Sequence, residues 1–251
     1  MSTPNRYAIR EAGEATFYDI ASGDAIVTLR TLKMTEVETT GETVYARGGR
    51  GNARLVGFSS DREARVTLQD AIFDNKTMAM LTGNEVLEGA KEIELIFEGV
   101  VPPGGTLSLP KTVEKLRTAY ELHADGTTNM TKIQGLTATG KNVTFGVADE
   151  GKNVRVYYTA MSDATAKTVR VTSDAFGGTF KIVVDVMVRD EFTQVDYFAQ
   201  FIANRAKVED EFSFNFSPDG DPSVLDIPME ILRSGRNDMW ELVIYDESAI
   251  V

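Results

Sequence analysis

The chain has 251 residues, of which 42% are hydrophobic and 25% are charged, so its composition is that of a globular protein with a sizeable core. The absence of cysteine excludes thiol nucleophiles, disulfides, cysteine-ligated zinc and iron–sulfur clusters, and a single histidine, His123, leaves little for imidazole chemistry. A formal net charge of −12 has the wrong sign for binding a nucleic-acid backbone.

The chain shows no sign of export or of a membrane span. No apolar run approaches the ~18 residues that a span requires, and the first residues, MSTPNRYAIREAGE, lack the basic-then-apolar pattern of a signal peptide. Together with the absence of cysteine, this favours synthesis in the cytoplasm and no membrane partner. We expect no cofactor and no metal, and no Walker-type phosphate loop is present.

Alternation of apolar and polar residues dominates the chain and predicts strands with one buried face. The predicted strands, in chain order, are 63–69, 92–98, 180–188, 212–216, 225–231 and 240–244. Pro228 cannot donate a hydrogen bond to a neighbouring strand, so the strand that contains it is predicted to lie at an edge or to carry a bulge. The pattern indicates a mainly β protein.

Two short helices are predicted beside the strands. Residues 74–83 offer Asp74 or Asn75 as an N-cap and Gly83 as a terminator that can take a positive φ. Residues 191–205 are predicted to form the second helix, because apolar residues recur there at a spacing of three and four.

A turn cluster at residues 102–105, Pro-Pro-Gly-Gly, indicates a boundary. Residues 102–161 hold short strand-like pieces separated by Gly-containing turns, which is typical of a small hairpin-rich unit. We therefore predict a β-domain formed by residues 1–101 and 162–251, with residues 102–161 inserted. The alternative of two sequential domains would require the first hundred residues to close a core unaided.

Three short motifs favour turns over chemistry. The glycine cluster at 45–52, YARGGRGN, is interpreted as a loop between two strands, whose arginines could also meet phosphate or a partner's carboxylate. Residues 219–222, Asp-Gly-Asp-Pro, are interpreted as a tight turn rather than a cation loop. His123 is interpreted as a surface histidine, since no Gly-x-Ser-x-Gly elbow accompanies it.

Three glutamates form a patterned row. Glu92, Glu94 and Glu98 fall on the face of their predicted strand opposite to Ile93, Leu95 and Phe97. The row places negative charge either on a solvated outer face or on an enclosed space that this face borders.

Two stretches resemble the tail tube (major tail) proteins of tailed bacteriophages: residues 45–83, YARGGRGNARLVGFSSDREARVTLQDAIFDNKTMAMLTG, and residues 212–234, FSFNFSPDGDPSVLDIPMEILRS. The first is similar to the family's long loop followed by core strands and a short helix, and the second to its closing strands. The resemblance implies a β-sandwich or half-barrel whose copies join edge to edge into hexameric rings. The rings would stack into a hollow tube that conducts the genome.

The resemblance also implies where copies meet. The loop around residues 35–52 would form the contact between stacked rings, with these candidate residues: Thr39, Glu42, Tyr45, Arg47 and Arg50. Glu92, Glu94 and Glu98 are the candidate acids lining the channel, since an acidic bore repels DNA phosphates and lets the genome pass without binding. The inserted domain is expected on the tube exterior.

The same resemblance implies a structural virion protein and not an enzyme. Its partners would be copies of itself and other tail proteins, such as a tube initiator, a terminator or a sheath. It would be located in the virion tail after assembly in the host cytoplasm.

Two alternatives stay open. A carbohydrate-binding or adhesive β-sandwich could stack a sugar on Tyr157 and Tyr158, although these tyrosines also fit the two faces of one strand. A β-sandwich hydrolase could use a pair of carboxylates among the 38 acidic residues. Self-assembly into rings or polymers would distinguish the tube protein from both.

Overall fold

The computed structural model describes residues 3–123, 129–212, 224–235 and 237–245. Within these ranges the protein is mainly β, as predicted, with one α-helix, α1 (Asn75–Thr82), and a short 3-10 turn (Val147–Asp149). The strands in chain order are β1 (Tyr7–Asp19), β2 (Ala25–Leu29), β3 (Leu32–Gly48), β4 (Ala53–Asp70), β5 (Leu87–Glu88), β6 (Glu92–Val100), β7 (Thr106–Ser108), β8 (Lys115–Leu122), β9 (Asn129–Ile133), β10 (Thr137–Thr139), β11 (Asn142–Thr144), β12 (Asn153–Met161), β13 (Lys167–Thr168), β14 (Thr179–Asp190), β15 (Asp196–Val208), β16 (Leu225–Ile231) and β17 (Glu241–Tyr245).

The chain divides into two compact units. Unit 1 comprises Met1–Val86 and Val169–Val251, and unit 2 comprises Leu87–Thr168. The sequence places the insertion at 102–161, whereas the compact unit is longer at both ends because β6 pairs with β12 along its whole length and β5 pairs with β13. The three patterned glutamates on β6 therefore belong to unit 2 and not to the larger unit.

Unit 1 is built on an eight-stranded sheet that curls back on itself. Its strands follow the order β2-β1-β14-β15-β16-β4-β3, and β17 pairs with β15 beside this path. The first and last strands of the order, β2 and β3, are separated in the chain by only Arg30 and Thr31. A sheet whose two ends are joined by two residues must bring those ends together, which gives the sandwich or half-barrel expected from the sequence.

The core of unit 1 comes from the inward positions of the alternating strands. Ala64, Val66 and Leu68 of β4 are buried, as their alternation predicts, together with Ile182 and Val184 of β14. Removing such side chains from water is the main source of the unit's stability.

Helix α1 forms where the sequence predicts it. The Asp74 carboxylate caps it by accepting a hydrogen bond from the Lys76 N–H (3.2 Å). Gly83 ends it in the left-handed region at φ 66°, where an added Cβ would lie 2.2 Å from the Phe176 carbonyl oxygen. Only glycine fits this position without moving the backbone.

The helix predicted over 191–205 is wrong. Residues from Asp196 onward form β15, whose buried residues alternate from Tyr197 through Ala199 and Phe201 to Ala203. A turn precedes the strand, in which the Asp190 carboxylate accepts hydrogen bonds from the N–H groups of Phe192 and Thr193. The spacing of the apolar residues fits both the helical period and the two-residue period of a strand. The segment forms a strand because it pairs with β14, β16 and β17.

Pro228 lies on an interior strand and not at an edge, because β16 pairs with β4 on one side and with β15 on the other. The pairing with β15 ends at Val208 opposite Met229. The Pro228 carbonyl accepts from the Glu209 N–H (2.9 Å) just past that point, so the missing proline donor falls where the ladder ends. The predicted strand 212–216 beyond Phe212 and the predicted turn at 219–222 lie outside the described residues.

Unit 2 has a core of its own. A four-stranded sheet (β6-β12-β8-β9) and a three-stranded sheet (β10-β11-β7) contribute to one apolar cluster. Val154, Val156 and Tyr158 come from the first sheet, and Leu107 and Val143 come from the second. The apolar core of unit 2 is therefore formed by residues of its own segment.

Candidate functional site

The most unusual feature of unit 1 is a long two-stranded ribbon formed by β3 and β4, which pair from Leu32↔Asp70 to Gly48↔Ala53. Most of the loop expected around 35–52 is therefore strand, because alternating Thr, Val and Glu residues continue it to Gly48. The connecting turn is confined to residues 49–52. Gly49, Gly51 and Asn52 take positive φ there, and the Asn52 N–H donates to the Gly49 carbonyl (3.1 Å).

The ribbon has a base and a tip with different neighbours. At the base, residues 65–70 of β4 pair with β16 as well as with β3. In the tip, which we define as residues 43–58, the two strands pair only with each other among the described residues. A register shift between Thr40 and Glu42 separates the two parts, with Asp61 at φ 50° on the facing strand.

One face of the tip is apolar and open to solvent. Val44 lies opposite Phe58 and Ala46 lies opposite Val56, so the four side chains form one strip. The exposed fractions are 60% for Val44, 53% for Val56 and 62% for Phe58. A two-stranded ribbon alone is marginally stable in water, and exposed apolar strips of this kind are typical of interaction surfaces.

The other face of the tip is aromatic and basic. The Arg54 guanidinium lies 4.3 Å from the centre of the Tyr45 ring, and Arg47 lies directly opposite Arg54. Arg50 occupies the turn. Like charges directly opposite on a ribbon repel, so this face is suited to meet negative charge on another surface.

The structure brings the predicted contact residues onto this ribbon. Glu42, Tyr45, Arg47 and Arg50 lie beyond the register shift, toward or within the tip. Thr39 lies below it and accepts a hydrogen bond from the Trp240 indole N–H (3.1 Å). Sequence reasoning missed the apolar strip. The alternation of apolar residues in TVYARG and LVGF indicated such a strip, but the interpretation of this segment as a loop left the alternation unused.

The three patterned glutamates form ion pairs on the exposed face of β6. Glu92 pairs with Lys115 (3.0 Å) and Glu94 with Arg117 (2.7 Å). Glu98 pairs with Arg155 (2.6 Å). The row is thus interleaved with a row of cations from β8 and β12.

The pKa values of this row reflect the pairing. The Thr159 hydroxyl and the Lys115 ammonium hold the pKa of Glu92 below its ordinary value. Hydrogen bonds to Glu94 and Glu98 raise the pKa values of Arg117 and Arg155, respectively. Three glutamates thus face three cations, so the face carries little net charge.

Charge is distributed unequally between the two units. Unit 2 contains ten acidic and nine basic residues, a net charge of −1, which leaves −11 of the total −12 on unit 1. A strongly negative surface therefore belongs to unit 1.

The alternative of a sugar stacked on two tyrosines finds little support in the described residues. Tyr158 is buried, whereas Tyr157 is half-buried on the opposite face and contacts Tyr120 edge to face, with ring centres 6.2 Å apart. No cluster of His, Asp and Glu that could hold a metal ion occurs in the part of the chain that the structure describes. Among the same residues no helix is long and apolar enough to cross a membrane.

The fold and the ribbon define the class: a mainly β protein whose most prominent exposed feature is a two-stranded ribbon with an apolar strip on its tip. Comparison with protein families identifies the group within this class, because the model of the YomU/Tube protein family matches residues 7–241. The chain belongs to the YomU/Tube family, which confirms the resemblance to phage tail tube proteins. No curated protein matches the chain.

Proposed function

We propose that the chain polymerises as stacked, hexameric rings into a phage tail tube whose negatively charged channel delivers the genome. Membership of a tube family supports the structural role. The observation that carries the proposal is the ribbon tip, which exposes an apolar strip that the described part of its own chain leaves uncovered.

Ring formation would use the strand edges of unit 1. On the outer sides of β2 and of β17 the structure shows no paired strand within the described residues. Such edges favour pairing with another chain, and a closed ring satisfies each edge with the next copy. Stacking would use the ribbon, with Tyr45, Arg47 and Arg50 meeting acids of the adjacent ring.

The channel lining follows from charge. Because unit 1 carries −11 and unit 2 carries −1, unit 1 is the source of an acidic bore that does not hold DNA. Unit 2 would then lie on the exterior. This placement and a channel lined by Glu92, Glu94 and Glu98 exclude each other, because those residues are part of unit 2.

The lining can be decided with a neutral triple variant, Glu92→Gln with Glu94→Gln and Glu98→Gln. Glutamine is preferred to lysine because lysines would face Lys115, Arg117 and Arg155. If unit 2 is exterior, tubes carrying the variant eject DNA at the normal rate. Slower ejection would instead assign the glutamate row to the channel.

Assembly itself is tested with two matched substitutions, since Phe58 on the tip and Ile96 on unit 2 are both 62% exposed. Concentrated wild-type protein is expected to form rings or tubes in negative-stain electron microscopy. Phe58→Asp should remain monomeric in light scattering with an unchanged circular dichroism spectrum, whereas Ile96→Asp should still assemble. Wild-type protein that stays monomeric even when added to preformed tail ends would contradict the proposal.

A further inference from the structure

Unit 1 contains an open cleft of about 460 Å³ between β1, β3, β15 and β17. Most of its lining is apolar and comes from Ile9, Met34, Val37, Val186, Phe201, Trp240 and Leu242, and the charged residues Arg10, Glu11 and Lys33 also line it. Phe201 is buried and forms part of the floor, with the Trp240 ring tilted against it at a centre-to-centre distance of 5.5 Å. Ile9 and Met34 are exposed at the border. The cleft thus offers an apolar floor held in place by packing.

The tip of the ribbon cannot reach the cleft of its own molecule. Val37, in the cleft, and Val44, on the tip, are seven residues apart on the same strand, which is about 23 Å along an extended chain. An odd separation also places them on opposite faces of β3. The apolar strip therefore points away from the side of the ribbon on which its own cleft lies.

Charge favours the approach of a tip to another copy. The tip contains three arginines and no acidic residue, so subtracting its +3 from the total of −12 leaves −15 on the rest of the chain. On the face of β3 opposite to Val37 and the cleft, a separate pocket is lined by Glu38, Glu63, Glu209 and Glu230. Its one basic residue, Arg65, is already paired with Glu209 (2.8 Å). A positive tip is therefore attracted to the predominantly negative surface of a second copy.

We infer that the apolar strip of one copy's tip (Val44, Ala46, Val56 and Phe58) packs into the apolar cleft of a second copy. The inference rests on the proposed function and names the surface that receives the ribbon. The contact joins two different patches, so each copy that donates a tip still offers a cleft of its own. Such a contact propagates without saturating, as a tube requires.

The absence of cysteine makes the contact directly testable by crosslinking. Phe58→Cys places a thiol on the tip and Met34→Cys places one in the cleft, both at exposed positions. Under mild oxidation, a mixture of the two single variants should give a disulfide-linked mixed dimer. The double variant should give a ladder of covalent polymers. Ile96→Cys mixed with Met34→Cys is the matched control and should give no dimer.

The energetic side is tested with Phe58→Ala and Met34→Ala. Each truncation should raise the concentration needed for assembly roughly tenfold or more, because an apolar side chain loses its burial at the contact. In the double variant, the fold-increase in the concentration needed for assembly should be smaller than the product of the two single increases, since both residues belong to one contact.

The outcomes separate this inference from the proposed function. Wild-type protein that assembles while the mixed cysteine variants do not crosslink would overturn the inference and leave the tube intact. A dimer of equal yield with the Ile96→Cys control would also overturn it. So would a crosslink within a monomer between Met34→Cys and Ala249→Cys, which would show that the chain's own end fills the cleft. Wild-type protein that never assembles would contradict the proposed function first.

Discussion

The base and the tip of the β3–β4 ribbon are the same two strands in two environments. At the base, β16 adds a third strand and the inward side chains Val66 and Leu68 are buried. At the tip, the apolar residues lie on the opposite face and are more than half exposed. The base is thus covered by its own chain, whereas the described part of the chain leaves the apolar residues of the tip uncovered.

The glutamate row of unit 2 differs from the tip, because its charged groups are already paired within the chain. It looked like an unpaired charged surface in the sequence, yet each of Glu92, Glu94 and Glu98 has a cation within 3.0 Å. Polar groups that are already paired give little driving force for association. An uncovered apolar strip is the stronger indication of an interface.

The largest expected effect compares truncations at the two ends of the ribbon. Leu68→Ala at the base should lower the free energy of unfolding by about 2–5 kcal/mol, because it leaves a cavity in the core. Phe58→Ala at the tip should change it by less than about 1 kcal/mol in dilute monomeric protein. Urea denaturation at low concentration measures both. Equal effects would contradict the division of the ribbon into base and tip.

A buried carboxylate provides the next test. Asp70, at the base, is buried and accepts hydrogen bonds from the Thr31 hydroxyl and the Ile72 N–H, the latter at 3.5 Å. Asp70→Asn should therefore destabilise unit 1 by about 1–3 kcal/mol. The same chemical change at exposed Asp61, Asp61→Asn, should have an effect below about 0.5 kcal/mol. Thermal unfolding of both variants measures the two changes in stability. An equal loss of stability in both would show that burial of Asp70 is unimportant.

Removing one arginine from the tip should have opposite effects on the monomer and on the polymer. Arg47→Thr relieves the repulsion with Arg54 across the ribbon and should stabilise the tip by about 0.2–1 kcal/mol. Slower amide hydrogen exchange at Ala46 and Val56 would show this. The same variant should assemble less readily and with a weaker dependence on salt, because it has lost a cation for the partner's acids. If the variant assembles as readily as wild type, Arg47 is not part of the contact between copies.

The smallest expected effect is a pH dependence in unit 2. The pKa of Glu92 is lower in the folded protein than its ordinary value of 4.5, so its hydrogen bond from Thr159 and its ion pair with Lys115 stabilise the fold above that pH. The contribution is lost as the pH falls through the lowered pKa. Glu92→Gln should therefore unfold at a lower temperature than wild type above pH 4.5, and the difference should shrink on acidification. A difference that is constant with pH would show that the pair does not contribute.

Local pattern determined much of this protein. Period-two alternation predicted the strand positions of Ala64, Val66 and Leu68, and capping residues predicted helix α1 between Asp74 and Gly83. These features depend on neighbours in the chain, which the sequence displays directly. The family resemblance carried by residues 45–83 was equally local and is confirmed by the family match.

Tertiary structure decided what depends on distant partners. Residues 196–208 became a strand because three other strands pair with it, and the supposed loop became a ribbon because β3 and β4 pair over their full lengths. The register of that ribbon placed Val44 beside Phe58. Pairing of β12 with β6 on one side and with β8 on the other brought cations to the glutamates of β6. Alternation specifies which face a side chain occupies, but only the neighbouring strand decides whether that face is covered, paired or left open.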